Sequence, residues 1–133
     1  MEDNLLKTCL YDKHVALNAL MSPFGGFIMP IQYTSITDEH NAVRNHAGMF
    51  DVSHMGEIFV SGPDAEKFVN HIFSNNVTGI PDGKILYGMM LYPNGTVVDD
   101  LLVYKEFEPD HYLLVVNASN IAKDYDWICA QMD

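Results

Sequence analysis

The chain is poor in basic residues and in cysteine. Of its 133 residues, 7 are Lys or Arg and 18 are Asp or Glu, which gives a net charge of -11. Nucleic acids and anionic membrane surfaces are bound by basic patches, so this shortage argues against both as partners. Cys9 and Cys129 belong to no metal or redox motif. They predict reduced, semi-buried thiols in a cytosol-like compartment.

Targeting segments and long apolar runs are also missing. The first four residues, Met1 to Asn4, are acidic, unlike a secretory signal or an Arg-rich transit peptide. No stretch approaches the length of a membrane-spanning helix. The six histidines are scattered, and no cysteine or carboxylate completes a ligand set around them. We therefore expect a cytoplasmic chain without a membrane anchor or a metal site.

Hydrophobic residues make up 48% of the chain, enough to build a core. Residues 1–50 predict a short helix near 10–17, a loop over 22–30 and a helix capped by Ser35 or Thr37. Residues 51–133 predict an alternation of strands and helices. Its parts are a strand at 57–60, a helix around 68–73, strands at 84–92, 96–105 and 111–117, and a helix capped by Ser119.

These elements predict an α+β fold, an antiparallel sheet with helices on one face. Residues 51–133 fit a ferredoxin-like split βαβ module that lacks its last strand. Residues 1–50 would form the N-terminal segment of a second, incomplete domain. A missing strand would expose a sheet edge, so we expect possible self-association.

Two adjacent acids, Asp99 and Asp100, lie in an otherwise apolar predicted strand. Neighbouring side chains on a strand alternate faces. One face would carry Val98, Asp100, Leu102 and Tyr104, and the other Val97, Asp99, Leu101 and Val103. A carboxylate against apolar surface costs several kcal/mol, roughly, unless it is paired or hydrogen-bonded. The residues alone leave two interpretations open: a structural pair that reaches water or backbone amides, and a ligand-binding acid.

The stretch from Gly48 to Glu57, Gly-Met-Phe-Asp-Val-Ser-His-Met-Gly-Glu, resembles the signature of the glycine cleavage system T-protein family. Further matching stretches follow the family's order at 10–15, 29–33, 83–87, 94–101 and 114–120. The segment Phe24-Gly25-Gly26-Phe27 departs from the Ala-Gly-Trp loop usual in that family. Because the family is longer, the resemblance implies an N-terminal portion that is inactive alone.

The resemblance implies a tetrahydrofolate-dependent aminomethyltransferase. In this family an aminomethyl group arrives on the lipoyl arm of the H-protein carrier. Folate takes the methylene group, ammonia leaves and dihydrolipoyl is released. Asp100 corresponds to the family's functional acid, and Asp99 would be structural. The implied folate-binding residues are Met55, Tyr87, Asp100, Leu102, Tyr104 and Asn117.

Two alternatives share this resemblance. Folate-binding proteins of the same fold serve iron–sulfur protein maturation without being enzymes. Folate-dependent modules also occur in amine oxidases and demethylases, which place a flavin domain upstream. The match to the Asp99-Asp100 strand and to residues 51–57 favours the transferase.

Overall fold

A computed structural model of the chain describes residues 4–132. The chain divides into two compact units, with the boundary between His54 and Met55. Within the described range, no helix has the length and apolar character needed to cross a membrane.

The first unit combines a β-hairpin with two helices. Its elements are α1 (Tyr11–Ala16), β1 (Leu20–Phe24), β2 (Phe27–Gln32) and α2 (Ile36–Asn45). The predicted helices are both present, and Ser35 rather than Thr37 caps α2, because the Ser35 hydroxyl accepts a hydrogen bond from the Asp38 amide at 3.1 Å.

The predicted loop over 22–30 is wrong, because these residues form the antiparallel hairpin of β1 and β2. Gly25 and Gly26 make its two-residue turn with φ of 58° and 86°. A turn of this kind requires positive φ at both positions, which glycine adopts without strain. Pro23 and Pro30 are tolerated because a two-stranded ribbon leaves each strand with an open edge.

The second unit is a four-stranded sheet with two α-helices. Its elements are β3 (Gly56–Ser61), α3 (Ala65–Ile72), β4 (Ile85–Leu91), β5 (Val97–Lys105), β6 (His111–Val116), a short 3-10 helix (Ala118–Asn120) and α4 (Ile121–Cys129). The strand order is β3-β6-β5-β4, and each neighbouring pair is antiparallel. The predicted class of helices with an antiparallel sheet is confirmed. Three strands separate α3 from α4, whereas a ferredoxin-like module has two between its helices.

Both α-helices of this unit cover the same side of the sheet. Val69 and Ile72 of α3 and Ile128 of α4 belong to one buried cluster with the inward side chains of the strands. Those strand residues include Met90, Leu101, Val103, Tyr112, Leu114 and Val116. We call the opposite side of the sheet the open face. The helix predicted to be capped by Ser119 begins later, after Asn120, whose side chain makes no capping hydrogen bond.

A bulge in β5 changes the predicted alternation at Val98. The register shifts between Met90 and Leu91: Met90 pairs with Asp99, and Leu91 pairs with Val97. Val98 is the extra residue, and it is 4% exposed within the core. The prediction that Val98 shares a face with Asp100 is therefore wrong.

Both cysteines are free and exposed. The prediction of semi-buried thiols is wrong for each of them. Cys129 follows Ile128, the residue that α4 buries in the core, so its side chain lies on a different part of the helix surface.

Gly88 allows the close approach of Phe73 to β4. A Cβ atom at Gly88 would lie 2.6 Å from Phe73 Cε2 and 2.7 Å from Phe73 Cζ. Because Phe73 is buried, we expect Gly88→Ala to lower the free energy of unfolding by about 1–3 kcal/mol. Urea denaturation measures it. Phe73→Leu makes room, so it should cost less in the Gly88→Ala background than in the wild type. Wild-type stability of Gly88→Ala would contradict the clash.

Candidate functional site

On the open face, two neutral side chains donate hydrogen bonds to the carboxylate of Asp100. The Tyr87 hydroxyl donates to Asp100 Oδ2 at 2.8 Å, and Asn117 Nδ2 donates to Asp100 Oδ1 at 3.1 Å. Each carboxylate oxygen therefore has one donor, which fixes the orientation of the half-buried carboxylate. The hydrogen bond to Asp100 raises the pKa of the Tyr87 hydroxyl, so Tyr87 keeps its donating hydrogen.

The antiparallel register brings these residues together. Tyr87 lies opposite Leu102 and Met89 lies opposite Asp100, so Tyr87 and Asp100 are diagonal neighbours on one face of β4 and β5. Asn117 directly follows β6, the strand on the other side of β5. Three neighbouring strands thus position the site, with Tyr87 on β4, Asp100 on β5 and Asn117 directly after β6.

Asn117 contacts both acids of the pair. Its Nδ2 lies 3.0 Å from Asp99 Oδ1, 3.1 Å from Asp100 Oδ1 and 3.2 Å from the Asp100 carbonyl oxygen. The two carboxylates lie on opposite sides of the sheet. The side-chain amide of Asn117, at the end of the sheet, contacts both of them. Asn117 therefore connects Asp99 and Asp100 directly.

Asp99 lies on the side covered by the helices and is 7% exposed. Burial raises its pKa, but the polar side chains of Asp124, Asn117 and Asn120 beside it outweigh burial and hold the pKa of Asp99 below its usual range. Asp99 and Asp100 therefore occupy different environments, with Asp100 on the face that a ligand can reach.

The surroundings of Asp100 on the open face are apolar and aromatic. Leu102 and Tyr104 follow it on the same face of β5 and are half-buried. Tyr87 is 63% exposed. Further exposed apolar side chains on this face are Phe59, Ile85 and Met89. A flat, apolar ligand with a polar edge fits such a surface, with Asp100 as its polar contact.

The structure brings most of the residues predicted for the site to one place. Tyr87, Asp100 and Asn117 are hydrogen-bonded together, and Leu102 and Tyr104 extend the same face. Met55 is half-buried and precedes Gly56, whose partner is Val116, so Met55 lies at the end of the sheet where Asn117 lies. Between residues 4 and 132, no group of three His, Cys, Asp or Glu side chains is placed to hold a metal ion.

Sequence reasoning missed a polar cluster in the first unit. Asp51 Oδ2 accepts a hydrogen bond from the Thr8 hydroxyl at 2.7 Å and lies 2.8 Å from His14 Nε2. Tyr33 Oη lies 2.8 Å from His14 Nδ1. Because a carboxylate only accepts, Nε2 carries the hydrogen, and a neutral His14 accepts from Tyr33 at Nδ1. The sequence offered one signal for this cluster: His14 and Asp51 lie in two stretches, 10–15 and 48–57, that resemble the same family.

Asp51 is kept ionised in this cluster. Its side chain is 2% exposed, and that of His14 is 7% exposed. Burial raises the pKa of Asp51, but hydrogen bonds from His14, Ser53 and Thr8 together outweigh burial and hold the pKa well below its usual range. The cluster links α1 to residues after α2, which gives it a structural role within this unit.

Comparison with known proteins supports a single family. The profile described as "GCVT N-terminal domain" matches residues 10–133. The chain belongs to this family. The aminomethyltransferase of Lysinibacillus sphaericus (strain C3-41) is 54% identical over 128 residues, which are 96% of this chain and 35% of that protein. The aminomethyltransferase of Moorella thermoacetica (strain ATCC 39073 / JCM 9320) is 54% identical over 125 residues, 94% of this chain and 34% of that protein.

A solved structure shares the fold of this GCVT N-terminal domain. The crystal structure of glycine cleavage system aminomethyltransferase T from Bartonella henselae matches with a TM-score of 0.89 and 30% identity, over 96% of this chain and 35% of that one. The chain thus spans about a third of the length of the relatives it matches. The predicted resemblance to the T-protein family is confirmed.

Proposed function

We propose that this chain supplies the folate-facing acid of a tetrahydrofolate-dependent aminomethyltransferase of the glycine cleavage system. The reaction moves the methylene group of an aminomethyl group, carried on the lipoyl arm of H-protein, to tetrahydrofolate and releases ammonia. Asp100 is the proposed catalytic residue. The proposed folate-binding residues are Met55, Tyr87, Asp100, Leu102, Tyr104 and Asn117.

One observation carries the proposal. In a member of the GCVT N-terminal domain family, Asp100 is held by Tyr87 and Asn117 on an apolar, accessible sheet face. Because two donors hold this carboxylate in a fixed orientation on an accessible face, it is placed to accept a further hydrogen bond from a ligand. Asp99, the other acid of the pair, is turned away and bonded internally, so the two acids are not interchangeable.

Asp100 contributes positioning and charge. A fixed carboxylate accepts a hydrogen bond from a folate amine and so directs the lone pair of that nitrogen toward the methylene carbon. Positive charge develops on the nitrogen as the new carbon–nitrogen bond forms. A carboxylate already oriented by two donors stabilises this charge without reorganising.

The apolar side chains provide the complementary contact. Leu102 and Tyr104 offer a surface along β5 on which a flat ring can pack, and Tyr87 flanks Asp100 from β4. Aromatic and apolar lining with few polar groups is typical of cofactor and small-molecule sites. This arrangement favours a ring system whose polar edge meets Asp100.

The test is a chimera in which this chain replaces the matching third of the Lysinibacillus sphaericus relative. The assay supplies tetrahydrofolate and H-protein loaded with the aminomethyl group, and it measures ammonia and methylene-tetrahydrofolate. We expect turnover. A chimera that is folded by circular dichroism and binds folate without turnover would instead favour the non-enzymatic folate-binding function.

The 133-residue chain should bind tetrahydrofolate weakly when studied by itself. Ligand sites bury about 70–90% of a ligand's surface. The open face can cover a ligand from one side only, and its residue Tyr87 is 63% exposed. We expect a dissociation constant at least about tenfold weaker than that of the chimera. Isothermal titration calorimetry measures both. Equal affinities would show that the open face alone forms the whole site.

A further inference from the structure

Three buried carboxylate oxygens lie on the helix-covered side of the sheet, opposite the open face that carries Asp100. They are Asp99 Oδ2 and both oxygens of Asp124. Asp124 is 0% exposed and Asp99 is 7% exposed. No donor within residues 4–132 forms a hydrogen bond with any of these oxygens when both acids are taken as ionised. An ionised carboxylate in that position is costly, so a compensating group is required.

The residues around Asp124 supply only part of that compensation. Asp124 projects from α4 toward Asp99 of β5, and the neutral side chains of Asn117 and Asn120 lie on the Asp99 side. Lys123 is the nearby cation. Its Nζ lies 3.4 Å from Asp124 Oδ1 but donates to the Val98 carbonyl, and its side chain is 44% exposed. This solvated charge offsets only part of two buried negative charges.

A proton resolves the conflict. Two ionised carboxylates in contact repel each other, and both lose hydration on burial. If one carboxyl keeps its proton, it becomes a donor to the other, and one hydrogen bond satisfies both acids. Asp99 and Asp124 face each other closely enough for one protonated carboxyl to donate to the other.

We propose that Asp99 and Asp124 share one proton in neutral and mildly acidic solution, and that this pair positions Asn117 and through it the Asp100 carboxylate. Burial, followed by the contact with Asp99, raises the pKa of Asp124 to about 7, so the proton belongs mainly to Asp124. The same contact helps to hold the pKa of Asp99 low. Asp99 and Asp124 are positioning residues, and only their link to catalysis rests on the proposed function.

Loss of the proton should loosen the site. Above the pKa of Asp124, two negative charges face each other across the space between α4 and β5. Asp99 then shifts, and its hydrogen bond from Asn117 Nδ2, 3.0 Å long, weakens. Because the same Nδ2 donates to Asp100, the orientation of Asp100 becomes dependent on pH near neutrality.

The test is NMR of the 133-residue chain with ¹³C-labelled aspartate carboxyl groups, titrated from pH 4 to 9. We expect one carboxyl resonance, assigned to Asp124, to titrate near neutral pH, with a smaller shift of Asp99 at the same midpoint. Asp124→Asn keeps a neutral donor opposite Asp99 and should abolish this transition. Asp126→Asn, an exposed change on the same helix, should leave it intact.

The side-chain amide resonances of Asn117 report the positioning. In the wild type they should shift with the same near-neutral midpoint, and in Asp124→Asn they should stay constant across that range. Wild-type Asp124 titrating near its ordinary pKa of about 4 would overturn the shared proton. A neutral transition without a response at Asn117 would overturn the positioning role. Neither measurement uses folate, so failure of the proposed function would appear separately, in the chimera.

Discussion

Replacing Asp100 by asparagine in the chimera is expected to lower kcat by roughly ten- to a thousandfold, the effect of removing one preorganised electrostatic contact. Asparagine keeps the shape of the side chain and can still accept from Tyr87, but it carries no charge to stabilise a developing cation. Folate binding should change less than turnover, because the charge interaction strengthens as positive charge develops. Steady-state kinetics with varied tetrahydrofolate separates kcat from KM.

The control for this experiment is Asp126→Asn, which removes an exposed charge from the same unit. Asp99→Asn is not a suitable control, because Asp99 accepts a hydrogen bond from the same Asn117 amide that holds Asp100. Near-normal turnover of Asp100→Asn would refute the role of the carboxylate. A loss confined to KM would assign Asp100 to binding alone.

The opposite placement of Asp99 and Asp100 could be predicted because it depends only on strand alternation. Asp100 lies half-buried on the open face and Asp99 lies buried under the helices. The same rule failed at Val98, where a bulge adds one residue to β5. Pattern reasoning treats a strand as regular, and a single bulged residue turns its side chain to the other face.

The polar clusters required tertiary contacts that no local pattern contains. His14 and Asp51 are 37 residues apart, and Asn117 and Asp99 are 18 apart.

The hairpin at Gly25-Gly26 was different, since two adjacent glycines between apolar residues are a local hairpin signal. Pro23 and Pro30 cannot donate to a sheet ladder, and a two-stranded ribbon accommodates them at its edges.

Removing Asp51 should unfold or loosen the first unit. Asp51→Ala leaves the buried His14 Nε2–H and the Thr8 hydroxyl without their acceptor, and each buried donor left unpaired costs about 1–3 kcal/mol. Amide hydrogen exchange followed by NMR measures the effect separately in each unit. We expect protection to fall in α1, β1 and β2 while the four-stranded sheet of the second unit keeps its protection. Asp12→Asn, an exposed acid of the same unit, is the matched control.

The stability conferred by Asp51 should also depend on pH in a definite direction. Its folded-state pKa lies below the value of about 4 expected for an unfolded aspartate. The unfolded chain therefore binds a proton first as the pH falls, and the stabilisation present above pH 4 is lost progressively below it. Protection of the first unit should drop between about pH 4 and pH 2 in the wild type. Asp51→Asn lacks the titrating group and should show a smaller drop. An equal drop in both proteins would assign the acid sensitivity to other carboxylates.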